Sequence, residues 1–130
     1  MFKLSKKTEY SLLVLRHLAR QGDEVCTVKD LARECRLPQP LLAKLMQQLA
    51  RRNLVRSEQG VRGGYRLNRD LTQISLADVV ESVDGPISLT ACKQDDDRCE
   101  RHSFCDLKTT IAPVQRQMRK YLQEVRVSDL

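Results

Sequence analysis

Residues 27–55 read "TVKDLARECRLPQPLLAKLMQQLARRNLV", two runs of helical apolar spacing separated by a short proline-flanked break. Thr27 is a good N-cap with Asp30 three residues on, and Cys26 and Leu31 occupy the positions of a hydrophobic staple. Val28, Leu31, Ala32 and Cys35 then recur on one face, which makes Cys26 and Cys35 packing residues. "RLPQP" interrupts. The next helix begins near Pro40, where a missing N–H costs nothing. Its Leu42, Leu45, Met46 and Leu49 point one way, while Pro40, Lys44, Gln47 and Arg51 point the other. Two short helices joined by a tight break, the second polar on its free face, form a helix-turn-helix pattern.

Downstream, "LVRSEQGVRGGYRLNRD" places short strands at Leu54–Ser57 and Tyr65–Leu67 around a turn with Gly60, Gly63 and Gly64. The glycines supply positive φ or close backbone approach. A helix-turn-helix followed at once by a basic hairpin is a winged helix, with Arg56, Arg62, Arg66 and Arg69 placed to track phosphates or enter a minor groove. Upstream, Ser5 caps a helix that runs to Gln21 and presents Leu12, Leu15 and Ala19. After the wing, Ser75 and Asp78 cap "ISLADVVESVDGP", with Ile74 and Val79 as a staple, and Asp84-Gly85-Pro86 stops it. The last helix carries Ile111, Val114, Met118, Tyr121, Leu122 and Val125 in one apolar stripe, with Pro113 expected in its first turn after a Thr109 or Thr110 cap. The fold expected is mostly α with a small β-hairpin: a winged helix-turn-helix DNA-binding domain over residues 1–84, a cysteine-rich loop over 85–107, and a dimerisation helix and tail over 108–130.

Composition agrees with this class. The 130 residues include three Tyr, two Phe and no Trp, a sparse set of large rings for one core, so burial is expected to finish by dimerisation. Residues 1–70 hold 15 Lys/Arg against 7 Asp/Glu, and residues 71–130 hold 8 against 10, so the overall +6 is concentrated in the front half. That asymmetry is the electrostatic footprint of a double-stranded DNA binder. A symmetric dimer would set two recognition helices about 34 Å apart, one turn of duplex. The beginning of the chain lacks the apolar run of a signal peptide, and nothing approaches a membrane span, so a cytoplasmic protein with no membrane partner is expected.

One segment is at odds with ordinary packing. "ACKQDDDRCERHSFCDLK", residues 91–108, sets Cys92, Cys99 and Cys105 among acids and bases. In a reducing compartment such cysteines point to metal or redox chemistry rather than a disulfide framework. Soft thiolates suit iron in clusters, and three from one segment require a fourth donor from elsewhere. Zinc binding and three free surface thiols are the alternatives. The acidic run Asp95–Asp97 opposes thiolate formation, with Lys93, Arg98 and Arg101 offsetting it. An enzyme is not expected: no CxxC and no Ser/His/Asp constellation is present to activate a nucleophile.

The order "KLSKKTEYSLLVLRHLA", "TVKDLARECRLPQPLLAKLMQQLARRNLV", "VRGGYRL", "ISLADVVESVDG" and then spaced cysteines resembles the Rrf2 family of bacterial winged-helix regulators, which includes the IscR, NsrR and SUF-operon regulator types. The resemblance implies an iron–sulfur cluster held by Cys92, Cys99 and Cys105 beside a homodimer helix. Where the IscR pattern has a ligating His, this chain has Lys108. Where the NsrR pattern has an acidic residue early in the first helix, reaching across from the partner, this chain has Glu9. Glu9 therefore ranks first as fourth ligand and His102 second. The Glu9 position leans towards a 4Fe–4S cluster, and a 2Fe–2S cluster also fits three cysteines and one further ligand. The function implied is a repressor-type transcription regulator whose operator affinity follows its cluster, with SUF-type assembly genes as targets; a nitric-oxide or redox stress regulator and a cluster-free or zinc-bound repressor are the alternatives. Base edges are expected to meet Gln39, Pro40, Ala43 and Lys44, with Gln47 and Arg51 nearer phosphates and Arg62 in the minor groove. Ala43 and Gln59 stand where IscR has a Glu and an Arg, so the site preference should differ from that of IscR.

Overall fold

The computed structural model describes residues 3–89 and 107–130, with side chains from residue 109 in the second stretch. Cys92, Cys99, His102 and Cys105 lie outside the described residues. Five helices and one hairpin follow in the order α1 (Lys6–Gln21), α2 (Val28–Cys35), α3 (Gln39–Arg51), β1 (Val55–Glu58), β2 (Gly64–Leu67), α4 (Leu76–Asp84) and α5 (Leu107–Glu124). Short 3-10 turns at Leu71–Gln73 and Val127–Asp129 precede α4 and follow α5. Among the described residues this is the mostly helical winged-helix architecture that the sequence pattern implies.

The helix starts form where side chains can answer the first orphan N–H groups. The Ser5 hydroxyl accepts from the Thr8 N–H at 3.1 Å, and Thr27 accepts from Asp30 at 3.0 Å. Ser75 and Asp78 form a full capping box. The predicted staple partners Ile74 and Val79 are both fully buried. Leu42, Leu45, Met46 and Leu49 of α3 are at most 1% exposed. Burying each such side chain contributes about 1.5–3 kcal/mol, so α3 is pinned on its apolar face with its polar face free.

Three expectations need correction. The buried face of α1 is Ser11, Val14, Leu15 and Leu18, with Thr8, while Ala19 is exposed and Leu12 half-buried. Small hydroxyl residues widen this face because they satisfy themselves: Ser11 donates to the Lys7 carbonyl at 2.7 Å. The strands begin one residue away from the expected bounds, and Leu54 is a fully buried core residue preceding β1. The hairpin glycines act as expected: Gly60 takes positive φ, at 122°, and Gly63 and Gly64 lie close against neighbouring backbone. Pro113 lies inside α5 rather than in its first turn, because the helix already begins at Leu107.

The C-terminal stripe divides. Ile111, Met118, Leu122 and Val125 are half-buried, and α5 packs on α4 of its own chain, whereas Val114 and Tyr121 are 53% and 66% exposed. Past α5 the tail is strapped down. The Val127 N–H donates to the Ile74 carbonyl at 2.9 Å, the Leu76 N–H donates to the Val125 carbonyl at 2.8 Å, and Val127 enters the core.

Candidate nucleic-acid interface

The presentation of α3 follows from its burial. With the leucine face in the core, Gln39, Pro40, Lys44, Gln47 and Arg51 are exposed and Ala43 is half-exposed, so the predicted contact residues share one open face. Lys44 and Arg51 make no ion pair among the described residues, which leaves both cations free for an anionic partner. The preceding Arg36, exposed as well, adopts the left-handed conformation (φ 56°) that turns α2 into α3.

The wing is held by a contact that strand periodicity does not reveal. β1 and β2 pair antiparallel from Val55↔Leu67 to Glu58↔Gly64. Cys26 adds a one-residue third strand: its N–H donates to the Tyr65 carbonyl at 2.9 Å, and the Tyr65 N–H donates back at 2.8 Å. A Cβ on Gly64 would stand 2.4 Å from the Cys26 carbonyl oxygen, so only glycine allows this approach. At the base of the wing Asn53, at φ 60°, ends the α3–β1 turn, and its carbonyl accepts from Asn68 Nδ2 at 3.0 Å. The angle between recognition helix and wing is thereby set.

Not every wing arginine is available. Arg66 and Arg56 share Glu58, at 3.0 and 3.5 Å, and Arg69 pairs with Asp78 at 3.3 Å. Gln59 and Arg62 are exposed, and Arg62 makes no ion pair among the described residues, so it is the wing cation left for a groove or phosphate. Beside it Val61 is fully exposed, an apolar tip overlooked by charge-based reading. Apolar side chains in this setting can wedge against base steps.

Burial pushes the Cys26 thiol above its ordinary range, with Asp30 and Glu24 adding to the effect, and burial followed by Glu34 does the same for Cys35. Neutral thiols packed at the core suit structure, not ligation. Among the described residues no cluster of His, Cys, Asp or Glu is arranged to hold a metal ion.

Glu9 is exposed on the first turn of α1, 3.2 Å from Lys6 Nζ. The same turn is tied to the end of α4, since Ser5 and Thr8 both donate to Asp84 Oδ2, Thr8 at 2.9 Å. The end of α4 is thus fastened to the start of α1 within the same chain. Past α4, the Leu89 N–H donates to Gln115 Oε1 of α5 at 3.1 Å.

With this geometry the chain can be compared with known proteins. A profile of the Rrf2 family, described as iron-dependent transcriptional regulators, matches residues 4–130. The chain belongs to the Rrf2 family. The structure of CymR, the global cysteine regulator of Bacillus subtilis, superposes with a TM-score of 0.71 at 26% identity, covering 99% of this chain and 95% of that one. An IscR from T. potens gives 0.69 at 25% identity, over 98% and 85%. Protein aau3 of Rhizobium meliloti is 27% identical over 98% of this chain and 84% of its own length. The match to an HTH-type transcriptional regulator of Aquifex aeolicus, 35% identical, spans 59% of this chain and about half of that protein, 54%. This Rrf2 chain is a DNA-binding winged-helix transcription regulator and not an enzyme. No helix among its described residues is long and apolar enough to cross a membrane.

Proposed function

We propose that this Rrf2 regulator acts as a homodimer whose operator affinity is controlled by an iron–sulfur cluster held by Cys92, Cys99 and Cys105, with Glu9 reaching across the dimer as the fourth ligand and His102 as the alternative. The observation that carries the reading is the sequence itself: three spaced cysteines follow a winged helix whose first helix carries an acidic residue at position 9, in a chain that the Rrf2 family matches over residues 4–130. The donor set fits: three soft thiolates, and a carboxylate whose ion-pair partner among the described residues is an exposed lysine that iron can displace. A bound cluster would supply a redox-sensitive link between these ligands. Asp84 fastens the first turn of α1 to the end of α4, and α5 offers Val114 and Tyr121 to the partner helix. Residues 1–84 serve as the DNA-binding part, 85–107 as the cofactor loop and 108–130 as the dimer element. SUF-type assembly genes are the favoured targets.

The likeness to CymR supports a second reading, a cluster-free regulator of cysteine metabolism. Anaerobic purification separates the two. Brown protein containing iron and sulfide, with operator binding that changes on exposure to air, supports the cluster reading. Colourless protein after reconstitution with both elements rejects it. Glu9→Ala should leave folding intact and speed bleaching in air; an unchanged cluster lifetime would remove Glu9 from the ligand set.

A further inference from the structure

Glu81, midway along α4, is a charged residue with a side chain only 14% exposed, and it carries two guanidinium groups from opposite directions. From α5, Arg119 donates Nε to Oε1 at 2.7 Å and Nη2 to Oε2 at 3.4 Å, a two-pronged contact. From the other side Arg52, the C-cap of α3, donates Nη2 to the same Oε2 at 3.3 Å. Because α4 packs against both α3 and α5, one carboxylate is fastened to the end of the recognition helix and to the C-terminal helix at once.

The attachment point on the DNA side is significant. Arg52 is followed by Asn53, whose positive φ turns the chain into β1 and whose carbonyl holds Asn68 at the base of the wing. A pull at Arg52 therefore acts on the joint between α3 and the wing, the two elements that meet DNA. Oε2 is shared between both arginines, so withdrawing Arg119 lets the carboxylate turn fully to Arg52. A carboxylate largely removed from water is held by its hydrogen-bonded partners, so it follows whichever arginine stays.

We infer that Glu81 is a positioning residue that couples the setting of α5 to the presentation of the recognition helix and wing. This rests on α3 and the wing being the DNA-contacting elements. It does not depend on which signal moves α5, and it holds with or without a cluster.

The test uses a duplex selected from a random DNA pool by the parent protein, with binding followed by fluorescence anisotropy and each variant checked by sedimentation and thermal melting. Arg119→Gln lies on α5, yet it should weaken binding about fivefold or more while the oligomeric state is unchanged. Arg52→Gln and Arg119→Gln combined should cost less than the product of the single effects, the mark of a shared partner. The exchange Glu81→Arg with Arg119→Glu restores the α4–α5 pair but faces Arg52 with a like charge. It should recover the parent melting temperature and not the parent affinity. Should Arg119→Gln melt early, Arg119→Lys, which keeps the charge and loses the fork, should fall between parent and Gln in affinity. Parent-level affinity in either Arg119 variant, multiplicative single effects, or full rescue by the exchange would overturn the coupling. A parent protein that selects no duplex removes the DNA-contact reading itself, and the coupling with it.

Discussion

Gly64 shows how much one missing methyl can decide. Its backbone lies against the Cys26 carbonyl so closely that an added Cβ would overlap backbone atoms on both sides of the Cys26–Thr27 peptide. The neighbour is main chain held by two hydrogen bonds to Tyr65, so it cannot swing aside. Gly64→Ala should destabilise the fold by about 1–3 kcal/mol, seen as an earlier urea midpoint, and should detach the wing from α2. Gly60 differs, because it is required for its φ and meets nothing. Cys26 and Cys35 make a prediction about pH. Burial raises both thiols above the ordinary value of 9.0, so in the unfolded chain they ionise first. Their contribution is intact below about pH 9 and is lost as pH climbs through the raised values. Urea titrations at rising pH should show a decline that is shallower in Cys26→Ala and Cys35→Ala than in the parent.

Among the elements, α3 and the wing divide the work of binding. Lys44 projects from the free face of α3, and Arg62 from the wing tip, neither tied to an acid among the described residues. Lys44→Ala should cost about 1–3 kcal/mol on the preferred duplex and relax the choice of base at one position. Arg62→Ala should weaken binding more evenly across sequences and lower the salt slope by about one. Anisotropy titrations on matched and scrambled duplexes at several salt concentrations distinguish these outcomes. Four wing arginines do not make four free cations for phosphates, because Glu58 and Asp78 engage three of them. α5 is similarly divided in role. Four of the six residues of its apolar stripe are half-buried in their own chain, which a helical pattern cannot reveal because both uses have the same spacing.

Taken together, the elements leave Val114 and Tyr121 about two helical turns apart on the open side of α5. Two such helices from two chains would bury both residues and complete a core poor in large rings. Val114→Glu with Tyr121→Glu should therefore yield monomers in sedimentation with little loss of helix content, and operator affinity should collapse because one recognition helix binds alone. Much of this protein was legible in its residue order. The caps at Ser5, Thr27 and Ser75, the α3 core face and the winged helix all follow from local rules, since a cap, a period or a turn involves neighbours a few residues apart. The candidate DNA face was legible for the same reason: fixing one side of α3 exposes the other. The Cys26–Tyr65 bridge, the Asp84 tie to α1, the division of the α5 stripe and the Glu81 junction were not. Each joins groups far apart in the chain, and their pairing depends on how helices pack in space. Side-chain chemistry proposes the partners; only the folded geometry chooses among them.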